Sequence, residues 1–298
     1  MKTRNLLLGM ACMAAFTACS NNDEPVIPAV QTRAVTINVS TGADTRTALT
    51  VDGNGLKRTW AASDKLSIYF MGADNTEVLE VFDLKSGAGT TSAVFEKSDS
   101  QLPATGTVKV LVWVQTDNVE RNSFDIAIQD GTLDGGNGLT NNDWLVKETT
   151  VTDGVFSDLT LESKCIFLKI PAGTKLVNDV TGNHNVEIYV YNDNIVRRYD
   201  FSIDGDGNFT YDSTRNDKYV QAGEKGRKIW VALKDGALVK DCYIAMMAKD
   251  DITSLKLKVC EENGAFTDKE IAVREFKTPL QFGYIYNITQ DDITVANG

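Results

Sequence analysis

The sequence predicts an all-β chain of two tandem β-sandwich domains. Three observations carry that expectation. Apolar residues recur at every second position in many short segments, which is the period of a half-buried strand. Clusters of glycine, asparagine and aspartate separate those segments. No stretch of about twelve residues shows the apolar period of a helix. Many short strands with frequent turns build sandwiches rather than parallel α/β sheets.

The chain has 298 residues and opens Met1-Lys2-Thr3-Arg4, two positive charges ahead of an apolar run over residues 6–16. That is a secretion leader, too short to span a bilayer. Thr17 and Ala18 are small and precede Cys19, after which the chain turns polar. The arrangement resembles the lipobox of bacterial lipoproteins. The resemblance implies that residues 1–18 are removed and that Cys19 receives a lipid. Attachment needs a sulfur nucleophile, and the peptidase needs small flanks. Phe16 stands where the family more often has Leu. An ordinary secretion leader that happens to contain a cysteine is the alternative. Two or three acyl chains would hold the protein firmly, whereas one binds only marginally. Residues 19–33 continue Ser20-Asn21-Asn22-Asp23-Glu24-Pro25 and read as a flexible tether. They also resemble the acidic export tags of surface lipoproteins of Bacteroidales.

The strands follow in order. Val35, Ile37 and Val39 alternate with polar residues over 34–41, and Leu66, Ile68 and Phe70 repeat the scheme. Val108, Val110, Val112 and Val114 share one face, with Leu111 and Trp113 on the other. Phe124, Ile126 and Ile128 come next, then Val186-Ile188-Val190, Ile229-Val231-Leu233, Cys242-Ile244-Met246 and Leu255-Leu257-Val259. Branched and aromatic residues suit such pleated surfaces. We place the division after Asp153-Gly154, with a first sandwich over 34–154 and a second over 155–298. Residues 156–170 would then open the second sandwich. Each half is long enough for its own core.

Composition excludes several functions. The net charge is −11, and no lysine or arginine cluster stands out, so neither nucleic acid nor anionic lipid is an expected electrostatic partner. Beyond the leader and Cys19 only Cys165, Cys242 and Cys260 remain, an odd number without a CxxC. No disulfide framework holds the fold, and each thiol lies in an apolar segment as a small buried group. A Cys242–Cys260 bridge stays open. His184 is the one histidine, which argues against a Ser-His-Asp or Cys-His enzyme and rules out a multi-histidine metal site. The run Asp204-Gly205-Asp206-Gly207-Asn208 matches the first three ligands of a calcium loop. It then has Phe209 where that loop has Gly and Arg215 where it has Glu, and it sits where a hairpin turn belongs. We expect no cofactor, no metal and no enzymatic activity. Trp60, Trp113, Trp144 and Trp230 are the candidates for stacking on sugar rings. Trp113 and Trp230 lie in strands. Trp144 follows Asn141-Asn142-Asp143 and reads as the exposed glycan platform.

Thr45-Arg46-Thr47-Ala48-Leu49 is followed by Trp60-Ala61-Ala62-Ser63-Asp64-Lys65-Leu66-Ser67-Ile68-Tyr69. Further on stand Lys228-Ile229-Trp230-Val231-Ala232-Leu233 and Leu280-Gln281-Phe282-Gly283-Tyr284-Ile285-Tyr286-Asn287-Ile288. In this order and spacing they resemble the motifs of fimbrillin-like proteins, the type V pilus subunits of Bacteroidales. Read locally, Trp60 packs in the first core while Asp64-Lys65 turn the chain into the next strand. The resemblance implies more. Such subunits have two transthyretin-like, Greek-key β-sandwich domains and reach the outer membrane surface as lipoproteins. An arginine-specific surface protease cuts them, the first strand leaves with the anchor, and a strand from another pilin subunit fills the groove. Carried over here, the exchangeable strand is residues 34–41, with Val35, Ile37 and Val39 as its buried side chains. The cut follows Arg46, in a small, polar stretch a protease can enter. Arg33 is the alternative, where cutting would leave the strand in place. A strand never cut, as in an anchor subunit, is a further alternative. The competing class is a surface lipoprotein that binds glycans through exposed aromatics.

Overall fold

The computed structural model describes residues 32–41, 50–52, 55–57, 59–115, 119–120, 123–126, 129–133, 138–157, 159–215, 229–261, 269–273 and 275–295. The leader, Cys19, most of the tether, and residues 45–49 with Arg46 lie outside the described residues.

The structure is all-β. Its strands begin β1 (Arg33–Thr41), β2 (Thr50–Asp52), β3 (Gly55–Lys57), β4 (Lys65–Met71), β5 (Glu77–Ser86), β6 (Ser92–Ser100), β7 (Thr107–Val114), β8 (Val119–Glu120) and β9 (Ser123–Asp125). Next come β10 (Leu145–Thr152), β11 (Val155–Phe156), β12 (Leu159–Ser163), β13 (Ile166–Ile170), β14 (Asn183–Tyr191), β15 (Ile195–Ile203) and β16 (Phe209–Arg215). The last are β17 (Ile229–Lys234), β18 (Ala237–Leu238), β19 (Cys242–Ala248), β20 (Lys256–Glu261), β21 (Lys269–Val273), β22 (Ile285–Asn287) and β23 (Ile293–Val295). Among the described residues the helical turns are short 3-10 segments, Leu139–Asn142 and Gln290–Asp292.

The first sheet runs β11-β10-β12-β1-β6-β5-β4-β7, and β7 also pairs with β10, so the sheet closes into a barrel-like ring. Period-two patterning fills it: Leu66, Ile68 and Phe70 of β4 point inward with Phe82, Phe95, Val110 and Val112. Trp60 packs among them, edge-on to Phe95 at 5.0 Å. The turn after it is held by Asp64, whose carboxylate accepts the Ala61 amide at 2.9 Å.

Two further sheets follow, β22-β13-β19-β15-β9-β8 with β16 on β15, and β18-β17-β14-β20-β21-β23. Ile166, Leu168, Ile188, Ile244 and Leu257 belong to the apolar core of this second half. A third cluster joins ring and second sheet, because some strands are apolar on both faces. Tyr69 and Trp113 face outward from the ring and meet Phe201, with Trp113 at 5.3 Å and Tyr69 at 6.0 Å from its ring. Phe167, Ala245 and Met247 complete that layer. Residues 32–298 form one compact unit.

The halves interlace across the division expected after Gly154. β12, given by the sequence reading to the second sandwich, pairs with β1 and β10 in the ring. Conversely β9, from the first half, pairs with β15 in the second sheet. Alternation marks a strand but carries no information on which sheet will take it. None of Cys165, Cys242 and Cys260 is in a disulfide, so the Cys242–Cys260 bridge is not formed. Cys242 sits in the second core, where burial pushes its thiol up to about 12. His184 lies near the start of β14, and its Nε2 bonds the Thr181 carbonyl at 3.0 Å.

Candidate functional site: an internal first strand and its groove

β1 is an interior strand of the ring. It pairs antiparallel with β6 from Arg33 to Ser40 and parallel with β12 from Val39 to Thr41. Val35, Ile37 and Val39 point into the ring and are 4%, 0% and 1% exposed, while Thr36 and Asn38 face solvent. Ile37 lies opposite Phe95 of β6. Ser40 and Thr160 share a hydroxyl hydrogen bond of 2.9 Å at the parallel end. Burying the three aliphatic side chains is worth about 5–9 kcal/mol, at roughly 1.5–3 kcal/mol each. Without β1, the facing edges of β6 and β12 would present unpaired N–H and C=O groups above an apolar groove. The long contact is the antiparallel one, so a replacement strand gains most by aligning antiparallel to β6.

Arg33 begins β1 and is tied down. Its Nη2 donates to the Gly154 carbonyl at 2.9 Å and its Nε to the Leu102 carbonyl at 3.3 Å. Gly154 turns the β10–β11 hairpin with φ +66°, and a Cβ there would stand 1.4 Å from the Arg33 guanidinium. Glycine thus serves both the left-handed turn and the close approach. An arginine-specific protease must draw the side chain into its own pocket with the flanking backbone free. At Arg33 the side chain is half-buried and bonded, and the backbone is laddered to Ser100. Gly154→Ala should push the guanidinium off its carbonyl. We expect cleavage after Arg33 to become several-fold faster, read as fragment appearance on a gel with N-terminal sequencing. An unchanged rate would show that the backbone ladder alone protects the site.

Trp144 is not the exposed platform its polar neighbours suggested. It is 3% exposed, stacked on Phe124 at 5.3 Å and on Tyr199 at 5.9 Å. Its polar flanks are buried too. Asn142 donates to the Gly138 carbonyl at 3.0 Å, and Asp143 accepts the Ser163 hydroxyl at 2.5 Å. Polar residues beside an aromatic signalled internal hydrogen bonding, not solvent. The aromatics that reach solvent nearby are Tyr211 and Phe282. Tyr211 lies in a strand and Phe282 in the closing segment, and neither has a sequence signal that marks it as a site.

The 204–208 run forms the β15–β16 hairpin turn. Asp204 accepts the amides of Asp206 and Asn208 at 2.9 and 2.8 Å, and the Asn208 side chain holds its carboxyl below the usual range. Among the described residues, no group of three or more His, Cys, Asp or Glu side chains is placed to hold a metal ion.

No protein-family model matches the sequence, and no curated protein matches it. The chain is similar to a solved candidate cell adhesion protein from Bacteroides uniformis, at 13% identity and TM-score 0.46, over 88% of this chain and 95% of that one. It is similar to a candidate adhesin from Bacteroides ovatus at 10% identity and TM-score 0.38, over 90% and 93% of the two chains. A candidate cell adhesion protein from Parabacteroides distasonis gives 9% identity and TM-score 0.37, over 89% and 90%.

Proposed function

We propose that the chain is a structural subunit of a cell-surface adhesive fibre, a type V pilus of the fimbrillin-like kind. It is exported as a lipoprotein through Cys19, held at the outer membrane, cut after Arg46 and joined to neighbouring subunits by strand exchange. It carries out no catalysis. On this reading the ring and the paired sheets correspond to the two transthyretin-like sandwiches of such subunits.

The observation that carries the reading is the placement of β1. An amphipathic strand at the start of the described chain sits inside the ring, laddered on both sides, with its apolar side chains filling pockets. Its removal leaves a groove suited to another amphipathic strand, and strand addition is a known mode of protein joining. The shielding of Arg33 favours Arg46 as the productive cut.

The test is to treat purified precursor with an arginine-specific protease. We expect a new N-terminus at Thr47, followed by a ladder of oligomers in denaturing gels run without heating. A precursor that stays intact and monomeric overturns the reading. A cut confined to Arg33 also overturns exchange, since β1 would remain in place.

A further inference from the structure

We propose that the groove under β1 ends in a socket for a guanidinium, so that the strand replacing β1 is selected by an arginine as well as by its apolar face. The inference rests on the strand-exchange reading and states the chemistry of the partner that reading requires.

Apolar alternation alone does not fix where a strand sits along the groove. Val35, Ile37 and Val39 are branched side chains of similar size, and all three point inward. A slip of one residue turns them to solvent and is excluded. A slip of two keeps the inward face, with Ile37 and Val39 moving into the pockets of Val35 and Ile37. Two of three pockets stay filled, so burial discriminates weakly between the two alignments. A polar contact at the end of the strand is needed to choose.

Arg33 supplies that contact. The ladder with β6 shifts beside it: Arg33 faces Ser100 and Val35 faces Lys97, so β6 carries one extra residue between them. Such a bulge bends the pairing and re-aims a side chain. The guanidinium reaches carbonyl oxygens of two separate segments, Leu102 beyond β6 and Gly154 in the β10–β11 turn. Both segments are held by groups outside β1. The buried Glu80 carboxylate accepts the Ser100 hydroxyl and the Gln101 amide, each at 2.5 Å, and the Leu102 amide donates to the Ser100 hydroxyl at 3.2 Å. The Asp153 amide donates to the Gly106 carbonyl at 2.7 Å, and the Gly106 amide to the Asp153 carboxylate at 2.8 Å. The two acceptors therefore keep their places when β1 leaves, and an incoming strand meets a preformed site.

The socket defines the partner. Two carbonyls on separate segments suit a planar guanidinium, which donates from Nε and Nη2 at once, better than the single nitrogen of an ammonium. The replacing strand is an extended segment of another subunit with arginine first and branched aliphatic residues third, fifth and seventh, running antiparallel to β6. A segment slipped by two residues carries its arginine past the socket and leaves the Leu102 and Gly154 carbonyls without that donor. Asp291, Ile293 and Val295 of this chain repeat the spacing with a carboxylate in the arginine's place. A carboxylate cannot donate to a carbonyl, so that segment serves as the negative control.

The test uses the full-length protein carrying Arg33→Ala and Ile37→Asp, so that its own strand holds neither the socket nor the central pocket. The probes are acetylated, fluorescent peptides of residues 32–41, native or with Arg33→Lys or Arg33→Ala, and a peptide of residues 290–298. By anisotropy we expect the Arg33→Ala peptide to bind at least about tenfold more weakly than the native one, with Arg33→Lys between them and the 290–298 peptide no better than Arg33→Ala. Register is read by oxidative cross-linking of peptides carrying Asn38→Cys to protein carrying Ser92→Cys, Val94→Cys or Glu96→Cys, since Asn38 faces Val94. The native peptide should cross-link at position 94 alone, and the Arg33→Ala peptide at its neighbours too. Arg33→Ala by itself, in the otherwise unaltered chain, gives a reading that needs no vacated groove: the amides of residues 35–39 should exchange with solvent about tenfold faster. Equal affinity of native and Arg33→Ala peptides, one cross-link at 94 for both, or unchanged exchange overturns the proposal and leaves strand exchange standing. Failure of every peptide to bind overturns both, so the two failures are distinguishable.

Discussion

Ile37→Asp should collapse the ring, and a free peptide should restore it. Ile37 is wholly buried opposite Phe95. Its loss forfeits roughly 1.5–3 kcal/mol of burial, and a carboxylate in that pocket adds a desolvation cost of several kcal/mol more. A total of at least about 4 kcal/mol is a large share of the roughly 5–15 kcal/mol that holds a domain folded. Urea titration followed by tryptophan fluorescence reads this directly. Asn38→Asp, one residue along and facing solvent, should change stability by no more than about 0.5 kcal/mol. The pair therefore separates the groove from the mere presence of a charge. If β1 is exchangeable, a peptide of residues 33–41 added to the Ile37→Asp protein should occupy the vacated groove and raise its melting temperature. The same peptide carrying the aspartate should not. Equal effects of the two chain variants, or of the two peptides, would remove the basis for strand exchange.

Trp113→Ala should be nearly as damaging, through a different part of the molecule. The indole is buried at the junction between ring and second sheet, against Phe201 and Tyr69. Truncating a buried tryptophan costs about 3–5 kcal/mol in lost burial and residual cavity. Because the cluster joins both halves, calorimetry should show one lowered transition rather than one shifted and one unshifted. Two separate transitions, only one of them moved, would show that each half holds itself together without the junction. Val239→Ala serves as the control, since that side chain is exposed and its loss should be within about 0.5 kcal/mol.

Both predictions concern residues whose burial was read from sequence to different depths. Alternation at 35, 37 and 39 announced a strand with one buried face, and the structure places those three side chains inside the ring. The same alternation left Leu111 and Trp113 on the opposite face of β7 without saying what covers them. The second sheet does. Trp144 failed as a surface residue because Asn142 and Asp143 beside it are themselves buried and hydrogen-bonded inside the protein. Local polarity reports the presence of hydrogen-bonding groups, not the location of their partners. No contiguous motif marks the aromatics around Trp144 either: Tyr199 and Tyr211 come from one hairpin and Phe282 from a distant segment.

What the sequence determined by itself was the period of its strands, the position of its turns, the acidic balance, and the inward face of β1. These are local properties, set by side-chain alternation along an extended backbone and by the few residues that turn it. Only the tertiary structure decided that β7 and β10 close a ring, that β12 belongs to it and β9 does not, and which aromatics are covered. Those outcomes depend on pairing between segments far apart in the chain, where many registers share the same local pattern and burial on both faces selects among them.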